Sequence, residues 1–95
     1  MFYRVTKYNF ADERFDEILA WSETIRADVE AIPGMLHADM FRSAPGEGMI
    51  VAAYDNESSF EAASETVSAV LGGMAQFLSS APHTHSGTVD TSFGR

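Results

Sequence analysis

Apolar and polar residues follow two different periods in the first third of the chain. Residues 2–8, FYRVTKY, are aromatic and β-branched and alternate in polarity, which predicts a strand. After Asp12 the apolar residues recur three or four positions apart as far as Ile32, which predicts a helix. Asn9 or Asp12 can cap its start, and the Pro-Gly pair at 33–34 is expected to end it.

A hairpin is predicted next, and its second strand lacks the usual alternation. Residues 36–43 form a plausible strand, and the turn APGEG follows at 44–48. Six consecutive apolar residues, 49–54, then predict a returning strand. A strand with one face in water would alternate apolar and polar residues, so this strand needs cover on both faces.

A second helix and a last strand complete the pattern. The helix is expected to begin near Ser58, with Glu61 three residues later as a candidate capping box. Its apolar stripe extends to Phe77, and Gly72-Gly73 predicts a kink or a break, because glycine weakens a helix interior. The polar segment 83–93 is rich in threonine and valine and predicts a fourth strand.

The order strand, helix, strand, strand, helix, strand predicts a fold of the α+β class. Right-handed crossovers give a ferredoxin-like βαββαβ domain over residues 1–95, a four-stranded antiparallel sheet with both helices on one face and the first and third strands central. The chain holds no cover for the second face of the third strand, so we predict a homodimer packed sheet to sheet. The alternative is that Ala52 and Ala53 are small enough to leave a tolerable exposed face.

Composition narrows the function classes. The net charge is −8 and the six basic residues are scattered, which argues against nucleic acid or an anionic membrane as a partner. There are no cysteines, which excludes disulfides, thiolate metal ligands and thiol nucleophiles. The N-terminus does not have the pattern of a signal peptide, and no segment approaches the ~20 apolar residues that span a bilayer. We predict a cytoplasmic location.

Three segments carry a resemblance to a known family. They are the helix end IPGM at 32–35, the hairpin at 36–55 and the SSFEAA segment at 58–63. Over nearly its whole length the chain resembles the dimeric α/β-barrel superfamily, and within it the antibiotic biosynthesis monooxygenase-like domains. The positions that match the pattern of these domains are Arg42, Tyr54, Asp55 and Phe60.

The resemblance implies a dimer and a cofactor-independent oxidation of a small phenol or quinol by O2. Tyr54 stands where many of these domains have tryptophan, and residues 56–78 contain no histidine. The haem-degrading branch depends on a histidine there and on a nearby tryptophan, whereas the only tryptophan here is Trp21. Haem degradation is therefore disfavoured, and no cofactor is predicted.

Histidines are the first candidates for chemistry. His83 and His85 are two apart, so they would project from the same face of a strand, and His37 could in principle join them. The pKa of about 6.5 of a free imidazole suits the role of a general base or proton shuttle near neutral pH. The alternative is a polar strand near a sheet edge, and since no complete ligand set can be identified, no metal site is predicted.

Arg42 is the candidate for holding an anionic oxygen, together with Tyr54. Paired hydrogen bonds from a guanidinium suit a carboxylate or phenolate, but a structural ion pair with an acidic residue across the hairpin or the dimer is the favoured reading, because such pairs are common. Arg4 presents the same two alternatives. Aromatic and methionine residues at these spacings are expected either to line a cavity between helices and sheet or to form plain core: Trp21, Tyr54, Tyr8, Phe41, Met40 and Met74.

Two functions therefore stand side by side. One is a cofactor-independent monooxygenase, with a histidine as base and Arg42 and Tyr54 holding the substrate anion. The other is a non-catalytic dimeric module that binds a small aromatic molecule or has an accessory, stress-related role, which the absence of a tight catalytic motif favours.

Overall fold

The computed structural model describes residues 1–94, and its centre is a four-stranded antiparallel sheet. The order of the strands is β2-β3-β1-β4, so the first and third strands are central, as predicted. The strands are β1 Phe2–Asn9, β2 Met35–Ala44, β3 Glu47–Tyr54 and β4 His83–Thr88. This arrangement confirms the predicted ferredoxin-like α+β fold.

The helices pack on one face of the sheet. The α-helices are α1 Phe15–Thr24, α2 Arg26–Glu30 and α3 Glu57–Met74, and the two 3-10 helices are Asp12–Arg14 and Ala75–Phe77. Ile18 of α1 and Met74 of α3 meet over Tyr8, while Ile32, just after α2, and Ala63 of α3 meet over Phe2. Within residues 1–94 no helix has the length and apolarity needed to cross a bilayer.

The opposite face of the sheet carries no helix, and we call it the open face. Strand pairing and alternation assign to it Tyr3, Val5, Lys7, His37, Asp39, Phe41, Met49, Val51, Ala53, His83 and His85. In β3 the helix-facing residues Ala52 and Tyr54 alternate with Val51 and Ala53 on the open face. The run of apolar residues in β3 thus supplies both faces of a central strand.

The first predicted helix is interrupted. The sequence predicted one helix from Asp12 to Ile32, but α1 ends at Thr24 and α2 begins at Arg26. The hydroxyls of Ser22 and Thr24 donate 2.6 Å hydrogen bonds to carbonyls three residues earlier, and such bonds compete with the helical ladder. Neither helical start is capped by a side chain, so the predicted capping by Asn9 or Asp12 is wrong.

The second predicted helix begins one residue early and is not broken. Its cap is Asn56, whose side chain accepts a 2.9 Å hydrogen bond from the Ser59 amide, so the proposed capping box at Ser58 is wrong. α3 continues through Gly72-Gly73 to Met74, so the predicted break there is wrong as well. Met74 is 1% exposed, and its burial holds the last turn of the helix on the core.

The hairpin turn and the last strand are shorter than predicted. The turn consists of Pro45 and Gly46 alone, and Gly46 has φ +75°, which a type II turn requires at its second central residue. The Asp12 carboxylate accepts a 2.9 Å hydrogen bond from the Gly46 amide and so ties the turn to the start of the first helical segment. β4 ends at Thr88 instead of at residue 93.

Candidate functional site

A cavity of about 640 Å³ lies between part of the helical layer and the sheet. Its floor is the helix-facing side of the sheet, and its apolar walls come from α1, α2 and α3. The volume falls within the range of about 300–1,000 Å³ that small-molecule sites occupy. The floor includes Arg4, Thr6, Ala52 and Tyr54, and the walls include Trp21, Val29 and Val67. The predicted space between helices and sheet is therefore open, and not filled by side chains.

Arg4 places a cation on the floor of this cavity. Alternation along β1 turns its side chain toward the helices, where it is only 7% exposed. Its guanidinium lies 4.3 Å from the ring centroid of Phe60 and 5.8 Å from that of Tyr54, and Nη2 donates a 3.3 Å hydrogen bond to Ser64 Oγ. Its Nε is buried and has no hydrogen-bond partner within residues 1–94.

The surroundings of Arg4 do not neutralise it. In the described part of the chain Arg4 forms no salt bridge with a carboxylate. A desolvated cation–π contact contributes about 2 kcal/mol, whereas removing an ion from water costs several kcal/mol even after relaxation. The floor therefore presents a positive charge that the protein itself leaves largely uncompensated.

Tyr54 and Trp21 are predicted site residues that do line the cavity. Tyr54 is fully buried, and its ring stacks on that of Phe60 with centroids 5.7 Å apart. Trp21 is half-buried in the wall, and its indole lies against Gly73 of α3. A Cβ at Gly73 would lie 3.3 Å from the indole Nε1, so the glycine lets α3 approach the ring closely. Thr6 adds a buried hydroxyl, 3.1 Å from that of Thr84.

Tyr8 and Met74 lie together in the core beside the cavity and do not line it. Tyr8 is 1% exposed, and its hydroxyl finds no hydrogen-bond partner within the described residues. Burial raises the pKa of Tyr8 above its usual value. Gly48 on the neighbouring strand makes room for it, because a Cβ there would overlap the tyrosine ring. Of the other two predicted wall residues, Met40 lines the cavity and Phe41 does not.

The three histidines do not come together. His83 and His85 share the open face, which confirms their predicted orientation, but they are exposed and do not border the cavity. His37 lies on the other edge strand, three strand spacings or roughly 14 Å away. It borders the cavity mouth, and its Nδ1 lies 3.4 Å from a carboxylate oxygen of Asp39. Among residues 1–94 no three His, Cys, Asp or Glu side chains cluster as a metal site.

Arg42 faces the helix side of the sheet but lies outside the cavity. Its Nη1 is 3.3 Å from Asp12 Oδ1, and its guanidinium lies 4.1 Å from the ring centroid of Phe15. These contacts match the structural alternative of an ion pair. The arginine that faces the cavity is Arg4, and the signal that pointed to it was its position between Phe2 and Thr6 in an alternating strand.

These features define a small ferredoxin-like domain with a ligand-sized, mainly apolar cavity. Residues 1–70 match the sequence model of the antibiotic biosynthesis monooxygenase family, and the chain belongs to that family. This confirms the family that the hairpin and its flanking segments resembled. No curated protein sequence gives a significant match.

Solved structures of low sequence identity share the fold. A candidate antibiotic biosynthesis monooxygenase from Deinococcus radiodurans superimposes with a TM-score of 0.80 at 12% identity, over 100% of this chain and 98% of the other. The monooxygenase ActVA-Orf6 of Streptomyces coelicolor, solved with nanaomycin D, gives 0.78 at 16%, over 99% and 91%. A dimeric ferredoxin-like protein from an uncultured marine organism gives 0.77 at 17%, over 100% of both chains.

Proposed function

We propose that the cavity binds a small phenolic or quinol-type compound and promotes its oxidation by O2 without a cofactor. The observation that carries the proposal is an aromatic, ligand-sized cavity whose floor holds a buried guanidinium. Membership of the monooxygenase family supports it, as does the similar fold of a monooxygenase solved with nanaomycin D. Apolar walls with a few polar groups are typical of sites for flat organic ligands.

The electrons in such a reaction come from the substrate itself. In an anthrone-type substrate, the methylene carbon between two rings loses two hydrogens and gains one oxygen atom from O2 as a carbonyl. The second oxygen atom leaves with both hydrogens as water, so atoms and electrons balance. The protein must assist loss of the first proton, stabilise the anion and exclude water.

The residues around the cavity divide these tasks. Arg4 and Tyr54 on the floor would hold the substrate anion, and Trp21 would form the wall against its rings. His37 is the one of the three histidines that borders the cavity, at its mouth on the edge strand β2, where alternation places its side chain on the open face. We assign the base to it, so a substrate would be deprotonated at this edge of the sheet, with Asp39 3.4 Å from the His37 Nδ1. Arg42, His83 and His85 lie outside the cavity of their own protomer, and a role for them in this reaction remains a prediction without support from their placement.

Oxygen uptake tests the proposal. Anthrones and quinols in aerated buffer should consume one O2 per substrate oxidised when the protein is added, and the uptake should not change when catalase is present. His37→Gln should slow turnover while leaving binding intact, whereas His83→Gln, at a position that does not border the cavity, serves as the matched control. Uptake no faster than in buffer, with compounds that demonstrably bind, would contradict the enzymatic function.

A non-catalytic binding module is the second candidate. The observation that favours it is that, of the titratable side chains lining the cavity in the described residues, only Arg4 and Tyr54 are buried, so no histidine or carboxylate lies deep inside. Binding would then be seen as quenching of Trp21 fluorescence and a higher melting temperature, without oxygen consumption. Trp21 is the only tryptophan, so the fluorescence signal reports on the cavity directly.

We also propose that two copies pack through their open faces. Val5, Met49 and Val51 are only half-buried there, and Phe41 is 46% exposed. A second copy is the economical cover for such an apolar face, and a dimeric ferredoxin-like protein has the same fold. Light scattering after gel filtration should give twice the monomer mass for the wild type and the monomer mass for Val51→Glu. A wild-type monomer at micromolar concentration would contradict the dimer.

A further inference from the structure

Arg4 is a buried charge without a carboxylate partner in the described residues, and it lines an open cavity. Arg4 is only 7% exposed, and its Nε has no hydrogen-bond acceptor within residues 1–94. Salt bridges elsewhere in the described residues involve Arg14, Arg26 and Arg42, each with an acidic neighbour, but not Arg4. Buried charges in proteins are usually paired, so the missing negative partner of Arg4 points to a ligand that supplies it.

The other charged groups that line the cavity are already engaged near its mouth. Glu30 lies 3.6 Å from Arg26, and Asp39 lies 3.4 Å from His37. All four of these side chains are exposed, so solvent screens them. The interior of the cavity is therefore electrostatically one-sided, with the guanidinium at the floor and apolar side chains above it.

We propose that the ligand of this cavity is an aromatic acid whose carboxylate pairs with Arg4. The inference rests on the proposed function, because it takes the cavity as the ligand site, and it names the ligand class of that site. The two Nη atoms at the end of a guanidinium form a planar pair of donors that matches the two oxygens of a carboxylate. The ring system of the acid would extend from the floor toward Trp21 and the valines of α2 and α3.

The charge of the whole chain does not by itself attract an anionic ligand. With a net charge of −8, the overall field repels anions, so binding of an anionic ligand would depend on the local positive charge of Arg4. A charged acid should bind better than its neutral amide of nearly the same shape, since the amide leaves the guanidinium unpaired. Losing a hydrogen bond to a charged group weakens binding about 10- to 100-fold.

The test uses naphthalene-2-carboxylate and naphthalene-2-carboxamide as probes on the full chain. Titration calorimetry should show the acid binding at least about 10-fold more tightly than the amide to the wild type. Arg4→Met should abolish this preference, and Arg4→Lys should retain part of it. Arg14→Gln is the matched control, because it removes the same charge from outside the cavity and should keep the full preference.

A second readout separates ligand recognition from a purely structural role. Replacing a buried, unpaired charge by an apolar side chain of similar length is often neutral or stabilising, so the melting temperature of free Arg4→Met should not fall. A fall together with a retained preference for the acid would assign Arg4 to the fold and overturn the inference. If Arg4→Met does not fold, the comparison of acid and amide on the wild type and Arg4→Lys decides.

The outcomes also distinguish the two proposals. Equal affinity of the wild type for acid and amide would overturn the aromatic-acid inference and leave the cavity as an aromatic-binding site. Quenching of Trp21 by neither probe, up to their solubility limits, would overturn both the inference and the proposed function. Preference for the acid, lost only when Arg4 is changed, would support the inference.

Discussion

Replacing Gly72 by alanine tests whether α3 is one continuous helix beside the cavity. Gly72 lies inside α3, its φ is outside the left-handed region, and a Cβ there meets no atom within 4 Å. In a helix interior alanine is favoured over glycine by about 0.8–1.0 kcal/mol, because glycine loses more backbone freedom on folding. With no clash to offset it, this gain should raise the melting temperature by about 4–8 °C for a domain of this size.

Gly73→Ala is the matched comparison for this prediction. Its Cβ would lie 3.3 Å from Nε1 and 3.5 Å from Cζ2 of Trp21, which is tight, so the same backbone gain is opposed by displacement of the indole. We expect Gly73→Ala to be less stable than Gly72→Ala and to shift the emission of Trp21. Thermal and urea unfolding should be followed by circular dichroism at one protein concentration, because the proposed dimer would make stability depend on concentration.

A melting temperature of Gly72→Ala at or below that of the wild type would refute the continuous helix at Gly72. That result would mean that the chain at Gly72-Gly73 needs a backbone geometry that alanine does not adopt, as in the break that the sequence predicted. It would also remove the continuous α3 that forms one wall of the cavity.

Two further predictions concern Tyr8. Gly48→Ala should lower the free energy of unfolding by about 1–3 kcal/mol in urea titrations, because its Cβ overlaps the buried Tyr8 ring. Gly87→Ala is the control and should have a smaller effect, because its Cβ meets no atom within 4 Å. Equal effects of the two substitutions would contradict this prediction. Burial raises the pKa of Tyr8, so the unfolded chain loses this proton first and stability falls as the pH rises above about 10. Tyr8→Phe should weaken this alkaline loss of stability without lowering stability at neutral pH, because the unpartnered hydroxyl contributes nothing there. An unchanged profile of stability against pH would contradict this prediction.

Part of the candidate site could be predicted from sequence and part could not. Trp21 and Tyr54 were predicted either to line a cavity between helices and sheet or to form plain core, and both line the cavity. Arg42 was preferred over Arg4 as an anion receptor, yet Arg42 meets Asp12, thirty residues away, and only Arg4 reaches the cavity. Both arginines occupy helix-facing positions, so alternation alone cannot separate them.

The burial of Arg4 without a carboxylate partner could not be predicted, because it depends on residues distant in the sequence. Its contacts are Phe60 and Ser64 on α3, and Ser64 is sixty residues away along the chain. Whether a buried cation has a counter-charge depends on every element that packs around it, and no local pattern reports that. The same holds for His83 and His85, whose common face was predictable, whereas the face itself depended on the pairing of β4 with β1.

By itself, the sequence determined the order of strands and helices, the central place of β3 and the apolar character of both its faces, because periods of two and 3.6 residues and turn residues act locally. The tertiary structure alone decided where the helices stop, which arginine is buried and that room remains between helices and sheet. Those features arise from packing between segments far apart in the chain, where hydroxyls, rings and glycines either fit or leave space.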